Sequence, residues 1–211
     1  MTGDSKASSR SRGGAGKPVA KRSGRVGPPA PPVFPVVRKF GSHRTEMRLL
    51  SPSDRDTLLK FFGSHTRETI HLRYGYELSH LSEERAAELV GVDQSKDAAI
   101  GIFEAGQKVP LVAIGRYFLK ADGASAEVAF VVREDRRRIG IATALLSALL
   151  TIAASRGLET LDAQVLRENQ PMLEIFFGLG GVKSSIPGTD EVTVTIDIRR
   201  ALRNLGRRRS S

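Results

Sequence analysis

The chain has 211 residues, of which 40% are hydrophobic and 27% charged, enough for one domain with a real core and against a chain that is polar throughout. It contains no cysteine, which excludes disulfides and thiolate nucleophiles and is compatible with a reducing compartment. The net charge of +10 is uneven: residues 1–44 carry +9 and residues 199–211 carry +6, so residues 45–198 carry −5.

Residues 1–35 are rich in Gly, Ser, Pro, Lys and Arg, with almost no large apolar side chain before Val33, and read as a disordered basic tail. Within it, Gly13-Gly14-Ala15-Gly16-Lys17 imitates a phosphate loop, but Pro18 follows the lysine and no strand precedes it. Pro28-Pro29-Ala30-Pro31-Pro32 reads as a polyproline spacer. Residues 1–12 have no apolar run, so no secretory signal is expected and the expected location is cytoplasmic. The folded domain is expected over residues 45–198. Basic tails of residues 1–44 and 199–211 would flank it, solvating the chain or making weak contact with polyanions.

From there the elements follow in order. Residues 46–50 read as a strand, and Ser51-Pro52-Ser53-Asp54 as the start of a helix that buries Leu58, Leu59, Phe61 and Phe62. A second short helix is expected over 67–72. A third opens at Ser82, turns Leu89 and Val90 inward and stops at Gly91. Strands are expected over 97–104 and 108–119, joined by Ala105-Gly106-Gln107 as a hairpin. The turn Ala121-Asp122-Gly123-Ala124 leads into a strand over 126–133, followed by a long helix closing near Arg156-Gly157. Residues 139–155 are uncharged, but Gly140, Thr143, Ser147 and Thr151 within them point to a buried helix rather than a membrane span. A strand over 160–166, a helix over 170–179 and a strand over 191–198 complete the series. The predicted fold is mixed α/β: a mostly antiparallel sheet flanked by helices, with crossover connections in its second half.

The junction between the strand ending at Arg133 and the helix beginning after Gly140 is the candidate site. A helix start presents unpaired N–H groups and the positive end of its dipole, which suits a pyrophosphate, and the arginines around it add counter-charge. Arg137-Arg138-Ile139-Gly140-Ile141-Ala142 fits R/Q-x-x-G-x-G/A and resembles the acyl-CoA pyrophosphate loop of the GNAT superfamily of N-acyltransferases. Arg167-Glu168-Asn169-Gln170-Pro171-Met172 resembles the E-N-x-x-M segment of the same superfamily. The likeness spans roughly residues 45–198 and is nearest in style to the acetyltransferase domain of bacterial Pat-type protein lysine acetyltransferases.

That resemblance implies an acetyl-CoA-dependent N-acetyltransferase and a set of site residues. N–H groups of Arg138, Ile139, Gly140, Ile141, Ala142 and Thr143 would receive the diphosphate of acetyl-CoA, with Arg137 as a further cofactor-binding residue beside them. Backbone groups of Val131, Val132 and Arg133 would pair with its pantetheine arm, the N–H of Val131 or Val132 meeting the oxyanion. Glu127 stands at the position of the Pat-type catalytic glutamate; an alternating strand would also place a solvent-facing glutamate there. Asn169 would orient the arm, cap a helix, or do both. Tyr74 and His80 fall where such domains have acceptor-side residues, and equally where ordinary packing residues would fall. The chain departs from the family at three points. Phe176 stands where many members carry an acidic tyrosine, Ala142 replaces a second glycine, and Gly181 occupies a frequent phenylalanine position. Pat-type proteins often carry an additional regulatory or synthetase domain; with a basic tail read in that place, control by a fused domain is not expected. No metal is expected, since the four histidines lack ligand spacing and cysteine is absent. The expected acceptor is an amine, most often a protein lysine. A small-molecule amine, a non-catalytic acyl-CoA-binding module and a nucleic-acid-associated factor are the competing readings, and the oligomeric state is open.

Overall fold

In a computed structural model, residues 30–74, 80–185 and 188–209 are described. Their strands are β1 (Val36–Phe40), β2 (His43–Leu49), β3 (Ala98–Glu104), β4 (Leu111–Leu119), β5 (Ser125–Val132), β6 (Thr160–Leu166), β7 (Val182–Ser185) and β8 (Glu191–Asp197). The helices are α1 (Arg55–Gly63), α2 (Arg67–Tyr74), α3 (Glu83–Val90), α4 (Ile141–Ser155), α5 (Gln170–Gly178) and α6 (Ile198–Arg209). The strands form one sheet in the order β1-β2-β3-β4-β5-β6-β8-β7. Every neighbouring pair is antiparallel except β5 with β6.

Alternation along the strands gives the sheet two apolar faces. On one face Ile100, Val128, Phe130, Leu161 and Val194 pack under the nearly all-apolar α4. On the other, Ala99, Leu111 and Ile114 pack under Leu58, Phe61, Phe62, Leu89 and Val90 of α1 and α3. Leu58, Phe61 and Phe62 are buried as the sequence pattern requires, whereas Leu59 is only half-buried. The single 3₁₀ turn Pro52–Asp54 that leads into α1 opens with a capping box, the Ser51 N–H donating to Asp54 Oδ2 at 2.9 Å. Asp54 also takes a two-pronged hydrogen bond from Arg48, at 2.7 and 2.8 Å. Among the described residues no helix is long and apolar enough to cross a membrane.

The ordered structure is wider than the 45–198 domain read from the sequence, so both tail assignments are corrected. At the N-terminal side β1 pairs with β2 and buries Phe40. At the other end residues 199–209 belong to α6, which turns Ile198, Ala201 and Leu205 onto α4 at a helical spacing and leaves Arg199, Arg200 and Arg203 outside. Arg199, Arg200 and Arg203, which read as part of a tail, thus lie on the outer face of a packed helix. The charge balance changes with the boundary: residues 30–211 carry +4, not the acidic surplus expected of 45–198. The disorder expected of residues 1–29 and the phosphate-loop imitation within them lie outside the described residues.

Candidate active site

Two neighbouring strands part company in the middle of the sheet. The parallel pairing of β5 with β6 covers only Ser125↔Thr160, Ala126↔Leu161 and Glu127↔Asp162. Beyond it β5 stays on β4 up to Val132, while β6 stays on β8 up to Leu166. The result is a V whose apex is the Glu127–Asp162 pair. Hydrogen bonds alternate along an antiparallel strand. Arg133 N–H donates to Val112 O and Lys120 N–H to Ser125 O, both at 2.9 Å, so the odd-numbered residues of β5 point their backbone groups at β4. The even-numbered ones face the V. This leaves the Val128 carbonyl, both groups of Phe130 and the Val132 N–H on an open edge that could accept a further strand-like ligand.

That alternation corrects two expectations. Val131 points its backbone at β4, so its N–H does not meet an oxyanion in the V. Arg133 is committed to the fold: its N–H goes to Val112, its carbonyl accepts from Arg136 N at 2.9 Å, and its guanidinium holds Asp135 at 2.6 Å and the Val109 carbonyl at 2.7 Å. Val132 keeps its N–H on the open edge, while its carbonyl takes the Arg137 Nε at 3.2 Å. Phe130, which is not among the site residues named from the sequence, supplies the backbone groups that Val131 does not.

The open edge runs into the turn before α4. Arg138 has φ 62° and is the sole non-glycine residue with positive φ among those described; Gly140 follows at φ 91° and caps α4. Such a succession of turned peptides makes a concave nest of N–H groups. The first helical bond is Ala144 N to Gly140 O at 3.0 Å. Among the described residues, the N–H groups of Arg138, Ile139, Gly140, Ile141, Ala142 and Thr143 have no protein acceptor. A Cβ on Gly140 would meet nothing nearer than Phe40 at 4.0 Å, so glycine is needed for the backbone angle and not for room within the protein. Of the surrounding arginines, Arg136 is held by Glu104 at 2.8 Å and by Asp135 at 2.8 Å. Arg137 and Arg138 remain exposed at the turn.

Helix α2 lies across the V like a strap. On the β5 side, Glu134 accepts from the Thr66 N–H at 3.0 Å and hydroxyl at 3.1 Å and meets His65 Nδ1 at 3.3 Å. Arg137 Nη2 donates to the Thr69 hydroxyl at 2.6 Å. On the β6 side, His71 Nε2 meets Glu168 at 3.0 Å and Asn169 Nδ2 donates to the Leu72 carbonyl at 3.4 Å. Burial would raise the Glu134 carboxyl, but hydrogen bonds from Thr69 and Thr66 and the nearby His65 pull it down to about 2. Burial pushes His65 the other way, below 6.5, and outweighs the attraction of Glu134, so its ring is neutral near pH 7. Under the strap the V opens as a groove of about 980 Å³, bounded by Thr69, Phe130, Arg138, Gly140, Asn169 and Met172 among others.

The remaining expected residues fall at different distances from this groove. Glu127 stands exposed at the apex, on the sheet face that α1–α3 cover. Asn169 caps α5, its Oδ1 accepting from Met172 N at 3.3 Å, while its amide reaches α2 and its side chain lines the groove. Phe176 is buried against Phe130, with ring centroids 5.6 Å apart, and offers no proton. Gly181 has no room for the phenylalanine found elsewhere, since a Cβ there would lie 2.7 Å from Val194 Cγ1 and 2.9 Å from the Phe176 carbonyl. Ala142 sits in the first turn of α4, where helical geometry accommodates a Cβ. Tyr74 closes α2, with its side chain outside what is described; His80 is exposed just before α3 and is not among the described residues that line the groove. Gly75 and Tyr76 lie outside the described residues. Thr69, Leu72 and Arg73 line the groove without any signal in the sequence, because α2 carries no motif and is brought there by the strap contacts.

One family match and three solved structures bear on this geometry. Residues 63–179 match the acetyltransferase (GNAT) family. The fold is similar to the GNAT domain of S. lividans PAT, with a TM-score of 0.70, 22% identity, and coverage of 77% of this chain and 96% of that one. It is similar to an N-acetyltransferase from Staphylococcus aureus Mu50, with a TM-score of 0.60, 14% identity, and coverage of 73% and 98%. A mutant of the cAMP-binding acyltransferase from Mycobacterium smegmatis matches with a TM-score of 0.53 and 24% identity over 82% of this chain, which spans only 55% of that protein. The parted strands, the N–H nest and a family match across more than half of its length together place this chain in the acetyltransferase (GNAT) family.

Proposed function

We propose that the protein transfers an acetyl group from acetyl-CoA to an amine, most often a protein lysine side chain, by direct attack within a ternary complex. The observation that carries the reading is the open backbone of Phe130 and the Val132 N–H on the β5 edge, taken up again after the turn by the unpaired N–H groups of the nest at Gly140. Its upper part matches an amide-bearing arm that adds as a short extra strand. Its lower part matches a diphosphate on a helix N-terminus, with Arg137 and Arg138 alongside.

In this reading the carboxylate of Glu127 receives the proton of the incoming ammonium. That proton is not lost freely: an amine of pKa near 10.4 costs about 4 kcal/mol to deprotonate at neutral pH. Glu127 is reachable from solvent at the apex, which suits an acceptor presented from another protein's surface. The N–H groups of the open β5 edge point at the place where negative charge develops on the thioester oxygen. Phe176 leaves the thiolate to take its proton from the amine or from water.

Calorimetric titration of the full chain with acetyl-CoA, followed by turnover against peptide lysines and small amines, tests the reading. Glu127→Gln should lower kcat by about 10²- to 10⁴-fold while leaving acetyl-CoA affinity within about twofold. Heat of binding without turnover in the wild type would make this a regulatory acyl-CoA-binding module.

A further inference from the structure

The apex of the V holds a second carboxylate and a cation that the transfer reaction does not require. Glu127 and Asp162 are direct partners across the last β5–β6 pair, so their side chains leave the same face of the sheet side by side. Lys120, just past the end of β4, reaches over with its Nζ 2.6 Å from Asp162 Oδ2. Asp162 is braced by the Thr195 hydroxyl, which donates to Oδ1 at 2.5 Å. The Lys120 ammonium is held above its ordinary range, first by the hydrogen bond to Asp162 and further by the charges of Asp162, Glu127 and Asp122. A primary alkylammonium therefore already sits on a braced carboxylate, within the field of the candidate base that stands opposite that carboxylate across the last rung. Its side chain is 41% exposed against 16% for Asp162, so the cation can leave while the carboxylate stays.

We infer that Glu127 and Asp162 form an ammonium-binding subsite, that Lys120 is its resident occupant, and that Lys120 is acetylated in cis by the thioester bound in the V. The inference rests on the acetyl-CoA reading above. In the step, Lys120 Nζ gives one proton to Glu127 and attacks the thioester carbon. A C–N bond forms and the C–S bond breaks with its electron pair going to sulfur. A second nitrogen proton ends on the thiolate, so the products are an amide at Lys120, free thiol and one proton released through Glu127. The amide carries no charge, so Lys120 then lets go of Asp162 and leaves the carboxylate pair to an external amine.

The test incubates full-length protein with acetyl-CoA alone and follows each lysine by peptide mass mapping, with calorimetry on the same sample. The expected result is one acetyl group per chain at Lys120, formed at a rate independent of protein concentration and slowed at least about 100-fold in Glu127→Gln. Lys120→Arg, which keeps a cation on Asp162, should remove the modification and raise the KM for external amines relative to acetylated wild type. Binding of acetyl-CoA with Lys120 modified no faster than the exposed Lys183, or equally fast in Glu127→Gln, overturns the inference and spares the acetyl-CoA reading. An absence of binding heat overturns both.

Discussion

Glu134 joins the nest turn to the residues that lead into the strap helix, beside the Arg137–Thr69 bond, and its replacement by Gln has a calculable outcome. Its carboxyl is held at about 2 against an ordinary 4.5. A shift of that size corresponds to about 3 kcal/mol of folded-state stabilisation, which partial exposure of the side chain reduces to about 1–2 kcal/mol. The sign follows from the depressed value: the stabilisation is complete above pH 4.5 and is lost as pH falls from there towards 2. His65, neutral in the fold and depressed from 6.5, adds a loss of the same sign that begins at higher pH, as the unfolded chain takes up a proton the folded ring refuses. Urea unfolding across a pH series should therefore place Glu134→Gln about 1–2 kcal/mol below wild type near pH 7, with the gap closing as the pH approaches the Glu134 value. The KM for acetyl-CoA should rise in the same variant, because α2 and the nest lose their shared carboxylate. A gap between the two proteins that stays constant with pH would refute the argument, since it would mean that the charge of Glu134 contributes nothing to the fold.

Three further outcomes follow from the same geometry. Gly140→Ala should cost only about 1 kcal/mol of stability, because the added Cβ enters open space at a positive φ. It should weaken acetyl-CoA about tenfold or more in calorimetry, because the same Cβ stands where the diphosphate comes close to the backbone. Arg156→Ala should lower stability in urea by about 2–4 kcal/mol, as its guanidinium joins the end of α4 to the carbonyls of Gln94, at 2.5 Å, and Asp97, at 2.6 Å, and to the Tyr117 hydroxyl at 2.6 Å. Gly181→Ala should destabilise the fold and leave the chemistry of the residual folded enzyme unchanged, because the new methyl group meets Val194 and the Phe176 carbonyl rather than the groove; differential scanning calorimetry with initial rates separates the two effects.

What could be read from the residues was whatever has a local physical cause. The α4 start was legible because a glycine after an arginine-bearing turn and before an apolar run has few other uses, and the β3–β4 hairpin because alternation brackets a Gly-containing turn. Strand β7 was not legible, since all four of its residues are exposed and its register is set wholly by β8. Helix α6 was missed for a different reason. Among the described residues its buried side chains are Ile198, Ala201 and Leu205, and six arginines swamp that pattern in composition. Strand β1 was hidden by the proline-rich run before it.

The site was legible as chemistry and not as direction. The sequence names the β5 residues but cannot say which of them face β4, because that parity depends on a register set by β4 and on where β6 departs. Shifting that parity by one residue exchanges Val131 for Phe130 on the open edge and commits the neighbouring amide to the sheet. The Glu127–Asp162 pair was equally out of reach, since 35 positions of sequence separate residues that stand opposite each other only at the last rung before the strands part. The catalytic geometry of this chain is therefore fixed by where one ladder of hydrogen bonds stops. A substitution that extended β5–β6 pairing by a single rung beyond Glu127 would close the V at its apex without altering any residue of the nest.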